Sequence, residues 1–242
     1  MNKLTLTVSK TNYVVFQRKK NINFNALPDM VVNNIVIDRK EVVKFLGIYL
    51  DEALNLKFHI NYISKKLAKF PPILHKTSRC LDTSSKNIIY YSLIYPNLTY
   101  CITVWGNCTL TALKPLITIH KQTVRSISSA PFRASTQPIM TSLGLLNINR
   151  IYTYMSCNYV FKSLNGLITC DWFSHYHNIY STRSTEAITL NVPLALSWQA
   201  MTFLRIAGAD AWNRLPNANR ECDSLRSFKF ALRNYLLATT MT

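Results

Sequence analysis

Asp51 and Glu52 are the only adjoining acidic residues in this 242-residue chain, so any search for carboxylate chemistry starts there. Two carboxylates are too few to hold a pair of catalytic divalent cations, and their place at the end of an apolar run suits a turn that leads into a helix. His59, His75 and His120 have no serine, cysteine or acid at a spacing that would build a nucleophile and base, which leaves hydrolase chemistry without support. Cys170, His175 and His177 come nearest to a metal site but lack a fourth ligand, and scattered Cys and His residues are ordinarily packing groups. The six cysteines (Cys80, Cys101, Cys108, Cys157, Cys170 and Cys222) contain no CxxC pair and read as reduced intracellular thiols. No Gly-rich phosphate loop occurs.

Chemistry by nucleophile, metal or phosphate loop is therefore not written locally, and charge is the stronger signal. Lys and Arg number 28 against 11 acids, a formal net charge of +17. That excess points to a polyanionic partner, nucleic acid first and an anionic membrane face second. Hydrophobic content of 48% with 5 glycines argues for a folded chain with a real core.

The elements that must carry this charge change in kind near residue 55. Before it, LTLTV (4–8), YVVF (13–16), VVNNIVI (31–37) and VVKFLGIYL (42–50) are short β-branched or aromatic runs that read as strands. After it, Leu56, Ile60, Ile63, Leu67 and Phe70 recur at helical spacing, with Asn55 as the N-cap and Pro71-Pro72 as the stop. Lys57, Lys65, Lys66 and Lys69 lie off that stripe. Further helices are expected from Ser84 or Ser85 to Pro96, through Leu113, Leu116, Ile117, Val124 and Ile127, from about Asn149 to Leu164 ahead of Asn165-Gly166, and over 224–237. Residues 167–223 read as irregular. Between Asp82 and Asp171 there is no acid, while Lys86, Lys114, Lys121, Arg125, Arg133, Arg150 and Lys162 are basic. Residues 87–113 carry no charge, yet Asn87, Pro96, Asn97 and Asn107 interrupt them, so they read as two buried segments meeting at Pro96 rather than as a membrane span. Trp105, Trp198 and Trp212 read as packing residues. The opening stretch MNKLTLTVSK lacks the apolar core of a signal peptide.

Four stretches taken together resemble the reverse transcriptases of non-LTR (LINE-type) retrotransposons. NKLTLTVSKTNYVVF (2–16) is similar to the segment after the catalytic hairpin of the palm, with Lys10 and Thr11 as its Lys-Thr pair. VVKFLGIYLDEALNLKFHINYISKKL (42–67) resembles the primer-grip hairpin leading into the thumb. YPNLTYCITVWGN (95–107), with Leu110, Leu113, Leu116 and HKQTVRSI after it, resembles the helical region beyond. GADAWNRLPNANRECDSLRSFKFALRNYLL (208–237) is similar to the far C-terminal end of these polyproteins.

The resemblance implies an α+β fold: a small antiparallel sheet or hairpin as a palm remnant (1–54), a helical thumb with following helices (55–166), and a C-terminal connector (167–242). It implies RNA-directed DNA polymerase as the parent activity, with Mg²⁺ as the parent's cofactor. The family's aromatic-x-Asp-Asp hairpin is expected just upstream of Met1; no acid precedes Asp29 and no Asp-Asp occurs anywhere. The expectation is a C-terminal part with no catalytic residues and no metal or cofactor of its own, which contacts template–primer duplex and does not polymerise alone. Phe45, Leu46 and Gly47 would sit at the grip, and Lys57, Lys65, Lys66, Lys69, Lys121 and Arg125 would follow phosphates. Lys10 would lie near the active site of the parent enzyme. The missing palm and fingers would be partners, with no membrane, in the cytoplasm or nucleus. The alternatives are an inert or interaction-only remnant, whose lysines are merely a solvated helix face, and a basic protein at a membrane surface.

Overall fold

Two pairs of adjacent left-handed residues set the shape of the first sixty residues. Asn33 and Asn34 have φ of 51° and 60°, and Leu46 and Gly47 have φ of 44° and 84°. Positive φ at both central residues is the turn that matches the twist of paired strands. Each run read as one strand is accordingly a hairpin. In the computed structural model, which describes residues 7–8, 11–16, 28–174, 189–194, 200 and 203–239, β2 (Val31–Val32) pairs antiparallel with β3 (Ile35–Val36), and β5 (Val42–Phe45) with β6 (Ile48–Asp51). A third short ladder, β1 (Asn12–Tyr13) with β4 (Asp38–Arg39), is parallel. The expected strand at 4–8 lies mostly outside the described residues, and of 13–16 only Tyr13 is in a strand.

The chain forms two compact units, Met1–Tyr62 and Ile63–Thr242. In the first, only Ile48 and Asp51 of the second hairpin are buried; β5 runs from half-buried to exposed. Asp51 accepts from the Asn55 N–H (3.0 Å), Asn55 Oδ1 accepts from the Lys57 N–H (3.0 Å), and Glu52 pairs with Arg39. The acidic pair thus fastens the turn into α1 (Lys57–Leu67), whose Ile60, Ile63 and Leu67 are buried as their spacing requires.

The second unit is helical. Pro71 and Pro72 do not end a helix but open α2 (Phe70–Lys76), where a missing N–H costs nothing; α1 has already ended at Leu67. α3 (Thr83–Ile89), capped by Asp82, runs through a π turn (Tyr90–Ile94) into α4 (Tyr95–Thr99). The helix therefore passes through Pro96, because the π turn, with Tyr95 N–H bonded to Tyr90 O, precedes the one residue that cannot donate. The break falls instead at Cys101, φ 48°, ahead of α5 (Ile102–Trp105). α6 (Leu110–Ser128) packs on α2, α3 and α7 (Thr136–Ser142).

α8 (Ile148–Leu164) buries residues on most sides, Ile151, Tyr152, Cys157, Val160 and Phe161 among them, and so serves as the central helix. Gly166, φ 64°, closes it, with Leu167 N–H reaching back to Lys162 O (2.8 Å). Two further helices, α9 (Leu204–Asn213) and α11 (Leu225–Ala238), pack on α8, with the short α10 (Asn217–Arg220) between them. The span expected to be irregular thus holds a helix, whose buried Ala209 and Trp212 are spaced for it. Phe161 stacks on Phe228 at 4.4 Å between centroids, and Trp212 lies 5.6 Å from Phe228. Trp105 is buried too and donates to Tyr100 O (2.9 Å), while Trp198 lies outside the described residues. Gly106 is irreplaceable by size: a Cβ there would meet Ile102 and Tyr152 atoms at 2.7 Å. The fold is α+β, as expected.

Candidate nucleic-acid interface

The second hairpin presents its tip to solvent. Phe45 is 60% exposed and Leu46 74% exposed, and Leu46 holds the left-handed conformation at that exposure. A bulky L-residue there costs roughly 1 kcal/mol or more, and Gly47 beside it takes the larger φ at no such cost. One strand back, Lys44 faces Tyr49 across the ladder. Its Nζ lies 5.7 Å from the Tyr49 ring and 5.9 Å from that of Tyr62, and those rings are 5.0 Å apart. Sequence reasoning missed this cation on an aromatic pair; hairpin register places Lys44 opposite Tyr49, and that register follows from the Leu-Gly turn. His59 Nδ1 accepts from the Tyr49 N–H (3.4 Å), and burial lowers its pKa.

The lysines expected to follow phosphates are all exposed. Lys57 begins α1, Lys65 and Lys66 lie in its last turn, and Lys69 precedes α2 with its Nζ 5.3 Å from the Phe70 ring. Lys121 is exposed midway along α6, whereas Arg125 is half-buried and donates from Nε to Ala134 O (2.9 Å). Two cations of the acid-free stretch are not surface charges at all. Lys86, 1% exposed, donates to Ser129 Oγ (2.9 Å), and Arg150, 2% exposed, donates to Thr239 O. Helical spacing could not reveal this, because the hydroxyl and the carbonyl that receive them come from remote segments. Lys10, His175 and His177 lie outside the described residues.

Among the described residues no three His, Cys, Asp or Glu side chains come together. With Asp51 held by Asn55 and Glu52 by Arg39, these residues do not fit the Mg²⁺ pair of a polymerase. A cavity of about 810 Å³ in the helical unit is walled by Leu113, Tyr152, Leu194 and Leu236. Its charged residues pair within the lining itself, Arg150 with Thr239 O and Asp210 with Arg214 at 2.8 Å. No helix among the described residues is long and apolar enough to cross a membrane.

The chain is basic and α+β, with an exposed hairpin tip, a lysine-bearing helix and, among the described residues, no assembled carboxylate centre. Over about half of its length the chain is similar to RNA-directed DNA polymerases of non-LTR retrotransposons. It is similar to the RNA-directed DNA polymerase from mobile element jockey of Drosophila funebris, 28% identical over 125 residues, 50% of this chain and 14% of that protein. Its match to the probable RNA-directed DNA polymerase from transposon X-element of Drosophila melanogaster is 25% identical over 144 residues, 58% of this chain and 15% of the relative. The jockey enzyme of Drosophila melanogaster is 29% identical over 120 residues, 48% of this chain and 13% of the enzyme. The matched stretches are thus a small part of the relatives' lengths. No protein-family model matches the chain. No solved structure matches it.

Proposed function

We propose that this chain contributes the grip-like and thumb-like parts of a retrotransposon reverse transcriptase, holding template–primer duplex by its phosphates without polymerising alone. The observation that carries the reading is the tip of the β5–β6 hairpin. The turn needs positive φ at Leu46 but not an apolar side chain, so a leucine three-quarters exposed in a strained conformation beside an exposed phenylalanine is not explained by the hairpin alone, and strain kept at a surface is characteristic of a contact site. The relatives supply the class of partner, and Lys57, Lys65 and Lys66 on α1 supply charge suited to a phosphate backbone.

Fluorescence anisotropy with a labelled RNA–DNA primer–template tests it. The full chain binds at low salt, and Lys65→Glu/Lys66→Glu weakens binding to every duplex sequence alike. No detectable binding at low salt overturns the reading, as does primer extension by the chain alone with Mg²⁺ and nucleotides.

A further inference from the structure

The turn between α6 and α7 carries a second surface. Ala134 N–H bonds to Pro131 O (2.9 Å), closing a four-residue turn with Phe132 and Arg133 at its two corners. Both are exposed, Phe132 at 76%. The turn is held on either side. Lys86 Nζ donates to Ser129 Oγ (2.9 Å) before it, and Arg125 Nε donates to Ala134 O (2.9 Å) at its end. The Arg125 guanidinium also lies 6.0 Å from the Phe132 ring centroid, within cation–π reach. A rigid corner costs little entropy to immobilise further, so an aromatic ring fixed there is prepared for a partner rather than ordered by one.

What the partner is follows from charge. Arg125 and Arg133 flank the ring, and the sequence holds no Asp or Glu between Asp82 and Asp171. A protein partner with an apolar pocket would account for the ring but not for the two guanidinium groups beside it. An unpaired base with its phosphates satisfies both at once, by stacking on the ring while the backbone meets the guanidinium groups. A duplex offers no unstacked base, so this surface is suited to a single strand.

We infer that the Pro131–Ala134 turn is a stacking platform for single-stranded nucleic acid, with Phe132 as the base-contacting residue and Arg133 as a phosphate contact. The platform shares with the duplex reading only a polyanionic partner.

The test titrates the full chain and its Phe132→Ala and Phe132→Trp variants with a labelled oligo(dT), with a blunt RNA–DNA duplex and with phosphatidylserine vesicles. The expected result is a loss of oligo(dT) affinity of roughly 5- to 150-fold in Phe132→Ala, the range of one base–aromatic stack. Phe132→Trp regains the affinity, and its added indole fluorescence is quenched by oligo(dT). Duplex affinity stays with the wild type. Unchanged oligo(dT) binding in Phe132→Ala overturns the inference, as does an equal loss on duplex. A Phe132-dependent affinity for vesicles with none for oligo(dT) assigns the surface to a membrane and overturns it too. Phe132-dependent oligo(dT) binding without duplex binding would sustain the platform while removing the duplex reading; duplex binding with Phe132-independent oligo(dT) binding does the reverse.

Discussion

His120 sits within α6, 3% exposed, with Nε2 2.9 Å from the Tyr90 hydroxyl. Burial pushes its pKa down to about 4, because the charged imidazolium would lose its hydration. In the unfolded chain the same group binds a proton near pH 6.5, so between these values the unfolded state holds more protons than the native one. Stability is complete above about pH 6.5 and falls as the pH drops towards 4, by an amount of order 3 kcal/mol from this residue. His59, also lowered by burial, contributes with the same sign. Urea unfolding at pH 7, 5.5 and 4.5 checks this: the midpoint should fall with pH in the wild type and fall less in His120→Gln. Equal pH dependence in both would show that His120 is not held neutral. Little of this was legible in sequence, where His120 is one of five histidines with no partner at an instructive spacing. Its partner Tyr90 lies thirty residues away, in a π turn.

At the scale of the element, the tip of the β5–β6 hairpin sets stability against contact. Leu46 occupies a left-handed position that asparagine takes with little strain. Leu46→Asn should therefore stabilise the chain by about 1 kcal/mol, read as a higher urea midpoint. The same change removes an exposed apolar side chain and should weaken primer–template binding. Higher stability with unchanged affinity would assign the leucine no role in binding; no gain in stability would show that the turn is not strained. Helices were easier to read than hairpins. The stripe Leu56, Ile60, Ile63 and Leu67 is periodic, whereas Asn33-Asn34 and Leu46-Gly47 interrupt apolar runs by only two residues. Pro71, Pro72 and Pro96 misled for a common reason. Proline blocks a helix only where an N–H is required, and the first turn of α2 and the π turn ahead of α4 both remove that requirement.

For the whole molecule, a net charge of +17 makes any phosphate-mediated binding depend steeply on salt. Plotted as log affinity against log salt, the slope for duplex DNA should be about 0.9 per phosphate neutralised. Because Lys65 and Lys66 are both exposed, Lys65→Gln/Lys66→Gln should flatten the slope by roughly 2. Substituting the buried Lys86 should leave the slope alone and lower stability instead. A slope unaffected by the surface pair would place the contacts elsewhere. Excess charge is a sum over residues, so composition supplied it without error; the share available to a partner depends on burial.

By itself the sequence determined the charge, the α+β class and the helical stripes, because each rests on composition or on patterns repeating within a few residues, and four of its stretches carried the resemblance to retrotransposon polymerases. Only the tertiary structure decided which cations face solvent, that Lys44 rides on Tyr49 and Tyr62, and that Phe132 stands at the corner of a braced turn. Those outcomes depend on side chains and carbonyls brought together from segments far apart in the chain, and no local period encodes them.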